Sequence, residues 1–481
     1  MQFKIEPYKW QHEAIGKSKE VPDLALLADM GTGKTGATIN ILRQKYYENG
    51  RQLKTLILGP LITLFNWQDE ILKHSYVDQR DTVVLHKGGS AGKLKEFERS
   101  VEKHQDKIII LNYEAMLSDK LFEAIKAWRP EIIICDEAHY CKNHKAKRSK
   151  KVAVIADNAK HRYILTGTPI LNNISDLFMQ YRILDGGETF GKSFTVFQRK
   201  YMEDANAVWK ARAQGNYFPK WVARPEMYDE VQKLIFNKAI RVMKKDCLDL
   251  PPLVRKTIKV ELSKEQKKYY DEMLRDFVTF VQEGNKSGTV VAQLAVTKAL
   301  RLQQIVTGFV ATEEGDIIEI KENPRLKAVK ELLLSLHENH KVILWCSFRH
   351  NYKQLKELCT SLGIEHVLIT GQMTLLQKRE SMDAFENDEN TRVVIANRKA
   401  GGIGINLVAA DYSIVYSRNF SLEEELQSGD RNYRGGSEKH ERIVRIDLCA
   451  YDTVDEQVVE ALVNKQGVSD RLINLAKEGR L

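Results

Sequence analysis

A chain of 481 residues exceeds what a single ordinary core supports, and its 43% hydrophobic and 29% charged residues exclude a disordered tail or a fibrous repeat. The formal net charge of +9 favours a polyanionic partner such as nucleic acid. Six cysteines without a C-x-x-C pair exclude a disulfide-stapled scaffold, and no apolar run approaches the eighteen or so residues of a membrane span.

The N-terminal "MQFKIEPYKW" has no apolar signal core, so the expectation is a protein kept inside the cell, with no membrane partner. From residue 24 to residue 167, "LALLA", "TLILG", "TVVLH", "IIILN", "IIICD" and "YILTGT" alternate with amphipathic segments. That alternation predicts an α/β fold in which a parallel sheet is covered by helices. It recurs after Pro324 in "KVILWCS", "EHVLIT", "RVVIAN", "YSIVYS" and "RIVRIDL", giving a second α/β lobe. Between the lobes, "MYDEVQKLIFNKAIRVMKKDCL" and "SKEQKKYYDEMLRDFVTFVQE" read as long helices, with Pro251-Pro252 starting the crossover. The expected domains are residues 1–182, a helical and linker region 183–322, residues 323–453, and a helical brace 454–481.

In "LLADMGTGKTGAT" a strand leads through Asp29, Met30, Gly31, Thr32 and Gly33 into a helix opening with Lys34 and Thr35. Loop N–H groups and the helix N-terminus would hold phosphates, Lys34 would reach the β and γ groups, and Thr35 would hold magnesium. Ala28 replaces the first glycine of the strict pattern, which the backbone tolerates where no positive φ is needed. "EIIICDEAH" then puts Asp136 and Glu137 at the end of a buried strand, where parallel sheets bind ligands. Asp136 suits magnesium and Glu137 suits polarisation of an attacking water; the plainer reading is an acidic strand end.

Cys135, His139, Cys141 and His144 do not have a zinc-finger spacing, and a strand would point Cys135 away from Asp136. "HEAIG" lacks the second histidine of a zincin. The basic tract "YCKNHKAKRSKK" reads equally as a solvated loop or as phosphate contact. Near the C-terminus, "SLEEELQSGDRNYRGG" predicts a helix capped by Ser421 with Glu424 and stopped by Gly435-Gly436. Its spacing sets Gln427, Arg431 and Arg434 on one face, either as a solvated face with Asp430 paired to Arg434 or as part of a site.

These motifs together resemble superfamily two helicase-like motors, and within them the Swi/Snf-type ATPases. "PYKWQ" is similar to the glutamine motif, "ADMGTGKT" to motif I, "GPLITLFNWQDEI" to Ia, "LNYEAM" to Ib, "DEAH" to II and "LTGTPILNN" to III. "ILWCSFRHNYKQL" resembles motif IV, "RKAGGIGINL" V and "QSGDRNYRGG" VI, while "LPPLVRKTIKVELSKEQKKYYDEM" and "ALRLQQI" look like the inter-lobe region of this branch. The resemblance implies two RecA-like lobes with ATP and Mg between them. It implies that Gln11 reads adenine, that Lys34 and Thr35 bind phosphate and metal, that Asp136 holds the metal, and that Glu137 holds the lytic water. Arg431 and Arg434 would act from the second lobe, with Gln427 beside them. His139, Thr166, Gly167 and Thr168 would couple nucleotide state to lobe movement. Nucleic acid would be gripped through Pro60, Thr63, Asn112, Lys142, Ser347, Arg349, Lys399, Gly401 and Gly402.

The departures are "SRNFS" where the family has an acidic residue and "WNP", "YRGGS" for "HRIGQ", and Leu171 for a glutamine. The expectation is a DNA-dependent ATP hydrolase, a minimal and monomeric motor stepping along duplex DNA, branched or single-stranded DNA being further substrates. It would be cytoplasmic in a bacterial or phage-infected cell, or nuclear in a eukaryote. The rivals are a strand-separating or branch-migrating helicase and a non-catalytic DNA-binding scaffold.

Overall fold

The central apolar runs become strands because they bury both of their faces. The computed structural model describes residues 3–167, 174–207, 219, 221–283, 288–312, 316–336, 338–398, 405–419 and 421–463. In the first of two units, Met1–Asp249, the strands are β1 (Asp23–Ala28), β2 (Thr55–Gly59), β3 (Thr82–Leu85), β4 (Ile108–Asn112), β5 (Ile132–Asp136), β6 (His161–Leu165), β7 (Met202–Asp204), β8 (Trp221–Ala223) and β9 (Ala239–Val242). One parallel sheet has the order β3-β4-β2-β5-β6-β1-β9, and β7 with β8 forms a small antiparallel pair. Successive residues alternate between two cores. Ile132 and Ile134 face one that also holds Trp10, Ile39, Leu42 and Trp67, whereas Ile133 and Cys135 face the other, with Phe122, Ile125, Val152 and Phe178. Each fully buried Leu or Ile contributes about 1.5–3 kcal/mol.

The second unit, Leu250–Leu481, contains β10 (Leu253–Val260), β11 (Phe309–Ala311), β12 (Ile317–Glu319), β13 (Val342–Cys346), β14 (His366–Ile369), β15 (Val393–Asn397), β16 (Tyr412–Val415) and β17 (Ile443–Ala450). Its parallel sheet has the order β10-β17-β16-β13-β15-β14. The expected α/β class, with one parallel sheet in each half, is what the structure has. In the C-terminal tail, Val454 and Val458 of helix Val454–Val463 pack with Tyr270, Ala299, Leu302 and Ile305.

The stretch 183–322 differs from its helical expectation. What reads as one helix from Met227 onward is a helix Tyr228–Asn237, then β9, then a short helix Lys244–Cys247. Strand β9 satisfies the open edge of β1: Ala25 N donates to Lys238 O at 2.7 Å and Asp29 N to Val242 O at 2.9 Å. The proline pair is followed by strand β10 instead of a bare crossover, and its exposed Arg255 and Lys256 suit a sheet edge. Residues 183–249 therefore belong to the first unit and 250–322 to the second.

The helix expected over 421–436 is also shorter. It spans Leu422–Gly429, capped by Ser421, whose Oγ accepts from Glu424 N at 3.3 Å; the Glu424 carboxylate accepts from Asn419 instead of closing the box. The chain leaves the helix because the next residues are claimed from outside it. Leu407 N donates to Arg431 O at 3.1 Å, and Arg431 Nη1 to Ile405 O at 3.3 Å. Arg431 and Arg434 consequently follow the helix and do not share a helical face with Gln427.

One residue of that helix anchors a buried ionic cluster. Glu425 accepts from Arg398 and Arg445, with Arg418 4.0 Å away, and Asp447 accepts from Arg418 and Arg445. Burial would push the Glu425 carboxyl up, but Arg398, Arg445 and Arg418 outweigh it and hold it well below the usual carboxylate range. We expect Glu425→Ala to destabilise the protein by about 3–5 kcal/mol in urea unfolding, because it strands buried Arg398 and takes one of two carboxylates from Arg445 and Arg418; a loss under about 1 kcal/mol would mean that the cluster is solvated.

Candidate nucleotide site

Strand β1 runs out at Ala28, and the loop that follows turns through two left-handed glycines, Gly31 at φ 78° and Gly33 at φ 88°. Ala28 keeps a negative φ, so the missing first glycine costs nothing there. Gly33 caps helix Lys34–Asn49, and a Cβ on it would lie 2.7 Å from Gln11 Nε2. The helix Lys9–Glu20 braces this loop: Trp10 Nε1 donates to Thr32 O at 3.1 Å and Gln11 Nε2 to Gly33 O at 2.8 Å. Gln11 Oε1 also accepts from Tyr8 N at 2.8 Å, so both ends of the amide expected to read adenine hold backbone. Within the loop, Thr32 Oγ1 donates to Asp29 O at 2.7 Å, and Met30 lies against Gly167. Lys34 Nζ donates to Ala28 O at 2.6 Å and Asp29 O at 3.3 Å, while Thr35 is half-buried beside it. A cavity of about 510 Å³ lies alongside, lined by Tyr8, Trp10, Arg241 and Lys245 among others.

Asp136 ends β5 at the same edge of the sheet. Its Oδ2 accepts from Trp67 Nε1 at 2.9 Å, and its carbonyl accepts from Tyr113 Oη at 2.7 Å. Burial, then the neighbouring Glu137 charge, pushes its carboxyl up to about 6, against the Trp67 N–H and the Lys34 ammonium. Glu137 takes a left-handed φ of 51°, an uncommon conformation for a residue with a side chain, and turns the chain sharply off the strand. Its Oε2 stands 3.3 Å from His139 Nδ1. The four residues weighed as a zinc site disperse: Cys135 is in the sheet core, His139 is beside Glu137, and His144 stacks on Phe194 at 3.6 Å. Burial pushes the Cys141 thiol up to about 12.

Thr166 is fully buried and its N–H donates to Leu26 O at 3.1 Å, which sets Gly167 against the loop. Thr168, Lys399, Gly401 and Gly402 lie outside the described residues. Of the expected nucleic-acid set, Thr63 Oγ1 donates to the carbonyl of buried Pro60 at 3.0 Å. Asn112 is buried between Lys93 at 2.7 Å and Glu114 at 2.9 Å. Lys142 pairs with Asp176 at 3.5 Å, and Lys147, Arg148 and Lys151 of the basic tract also pair with carboxylates of their own unit. In the second unit, Gln427 and Arg431 are buried, with Arg431 Nε donating to Gln427 O at 3.0 Å, and Arg434 is half-buried. Ser347 is held by Ser417, its N–H donating to the Ser417 hydroxyl at 2.8 Å, while Arg349 is exposed at the start of helix Arg349–Ser361. Sequence reasoning missed Arg241, which joins Asp29 to Gly167; it lay in a stretch with a helical pattern.

The SNF2-related domain matches residues 16–308, more than half of the chain, and the helicase conserved C-terminal domain matches residues 324–436. The chain belongs to the SNF2-related domain family. Protein CHROMATIN REMODELING 4 of Arabidopsis thaliana is 26% identical over 97% of this chain and 21% of its own length. The uncharacterized ATP-dependent helicase MG018 of Mycoplasma genitalium is 25% identical over 95% of this chain and 41% of its own. The Sulfolobus solfataricus SWI2/SNF2 ATPase core in complex with dsDNA aligns with 22% identity and a TM-score of 0.45, over 99% of this chain and 94% of that one. The chain thus spans a fifth to two-fifths of the length of these curated relatives.

The oxygen donors of Thr35 and Asp136 fit a hard cation that takes the rest of its shell from phosphates and water. A buried carboxylate kept for such a role is costly when nothing neutralises it. With the Asp136 pKa raised to about 6, its favourable protonated form is fully present below its ordinary 3.8 and lost as pH rises through about 6. Asp136→Asn, whose amide oxygen still accepts from Trp67, should therefore stabilise the nucleotide-free protein at pH 7.5 by about 1–3 kcal/mol; thermal unfolding showing no gain would mean that the carboxylate is well solvated.

Proposed function

We propose that the chain is an ATP-dependent, DNA-stimulated motor that steps along duplex DNA. The observation that carries this reading is the convergence of Lys34, Asp136 and Glu137 on the C-terminal edge of one parallel sheet, beside a glycine-turned loop whose backbone is braced from three sides. That is the arrangement phosphoryl transfer to water needs, and the printed names of the relatives, an ATP-dependent helicase and chromatin-remodelling proteins, support it.

In this reading the N–H groups of residues 31–35 receive the phosphates and Lys34 leaves its carbonyls to face the terminal phosphates. Magnesium held by Thr35 and Asp136 would neutralise charge on the phosphate oxygens. Glu137, turned off the strand and next to His139, orients the attacking water. Arg431 and Arg434, which belong to the second unit, would serve the charge that builds up on the transferring group. Arg431 already spends donors on Gln427 O and Ile405 O, which suits a fixed role. Stepping follows from opening and closing of the two lobes in time with hydrolysis.

The test is ATP hydrolysis titrated with duplex DNA, single-stranded DNA and RNA, run beside triplex displacement and forked-duplex unwinding. Stimulation by duplex with triplex displacement is expected. Unwinding without triplex displacement would instead support a strand-separating helicase, and hydrolysis indifferent to nucleic acid would overturn the motor. Arg434→Ala should lower stimulated turnover by about 10³-fold or more and leave nucleotide binding intact; near-normal turnover would return Arg434 to an ordinary surface role.

A further inference from the structure

Arg241 stands where three segments of the candidate site meet. It is the third residue of β9, opposite Leu27 of β1. Its Nη1 donates to Leu27 O at 3.1 Å and to Gly167 O at 3.2 Å, and its Nη2 donates to Asp29 Oδ1 at 2.9 Å. One guanidinium thus joins the end of β1, the first residue of the phosphate loop and the segment leaving β6. The second oxygen of Asp29 accepts from Lys244 N at 3.1 Å, and Asp29 N donates to Val242 O at 2.9 Å, so the loop entry is fastened to the β9 segment by three bonds. Gly167 in turn passes close to the lysine: a Cβ built on it would lie 3.5 Å from Ala28 O and 3.6 Å from Lys34 Nζ.

We propose that Arg241 is a positioning residue of the ATP site, one that sets the spacing between the phosphate loop and the Thr166-Gly167 segment and so governs turnover more than nucleotide capture. The inference rests on the ATP-hydrolysing reading above. The two functions use separate contacts. The N–H groups that would receive phosphates belong to residues 31–35, and their braces, Trp10 to Thr32 O, Gln11 to Gly33 O and Thr32 to Asp29 O, do not involve Arg241. The Gly167 carbonyl, by contrast, is held by Arg241 from 74 residues away in sequence. A lysine cannot replace it, because a single ammonium lacks the planar fork that serves two carbonyls from one nitrogen and a carboxylate from the other. The ion pair with Asp29 is partly exposed, at 37% and 30% of the two side chains, so it adds little to global stability. A loss of function on removing it would therefore not be a loss of fold.

The test compares wild type with R241A and R241K in three measurements: DNA-stimulated kcat, the Kd of a fluorescent ATP analogue, and the thermal unfolding midpoint. Both variants should lose about 10- to 100-fold in kcat, the scale of a small misplacement near the chemistry, with Kd changed by less than about threefold and the midpoint nearly unmoved. D29N combined with R241A should be no worse in kcat than R241A alone, because Asp29 reaches Gly167 only through Arg241 and an amide at position 29 still accepts from Lys244 N. If R241A fails to fold, R241K carries the comparison. Wild-type kcat in either variant would overturn the inference, as would a Kd that rises in step with the kcat loss. A wild-type chain that hydrolyses no ATP, with or without DNA, would overturn the ATP reading and this inference with it.

Discussion

A carboxylate at the floor of a parallel sheet, short of water and facing one ammonium, is the constraint on which the first unit is arranged. Asp136 sits there because β5 is buried on both faces and ends at the ligand edge. Trp67 and Tyr113 fix it, one through its side chain and one through its carbonyl. Its ionised form is costly in this position without a cation. The neighbouring Glu137 adds repulsion and accepts a strained backbone. Both features cost stability, as the chemistry proposed for the pair would require.

The loop opposite is built on the reverse principle. Its backbone is over-determined by Trp10, Gln11, Thr32 and Arg241, which hold three of its carbonyls, the neighbouring Gly167 carbonyl and the Asp29 carboxylate in place. Gln11 is instructive. Its place in the glutamine motif suggests base reading, yet its two ends are taken by Tyr8 and Gly33, and the glycine is needed partly because Gln11 stands so near. Preorganisation of this kind spares the site from ordering the loop at the moment of reaction.

Much of this was legible in the sequence, and the limits have physical causes. The central strands read clearly because both faces are covered, which makes them short continuous apolar runs. Strands β9 and β10 did not, since both are edge strands that mix charged with apolar residues and adjoin helical patterns. Lys34, Asp136 and Glu137 could be found because the phosphate loop and the acidic pair are local motifs. Arg241 could not: its role exists only once β9 is placed beside β1. The helix before Arg431 read too long because its stop is imposed by Leu407 and Ile405 from another segment, while local rules pointed to the later glycines. The Glu425 cluster was invisible for the same reason, assembled from strand ends and a helix far apart in sequence.

In the proposed reading Asp136 would receive the metal, and its carboxyl, pushed up to about 6 by burial and Glu137, would have to be ionised to do so. The most direct test is the equilibrium affinity for Mg-ATP between pH 5 and 8, compared for wild type and Asp136→Asn. Wild-type affinity should be flat above about pH 6 and weaken below it by up to about tenfold per pH unit, after allowance for titration of the nucleotide itself, and that slope should vanish in the variant. An identical pH profile for the two proteins would contradict the account.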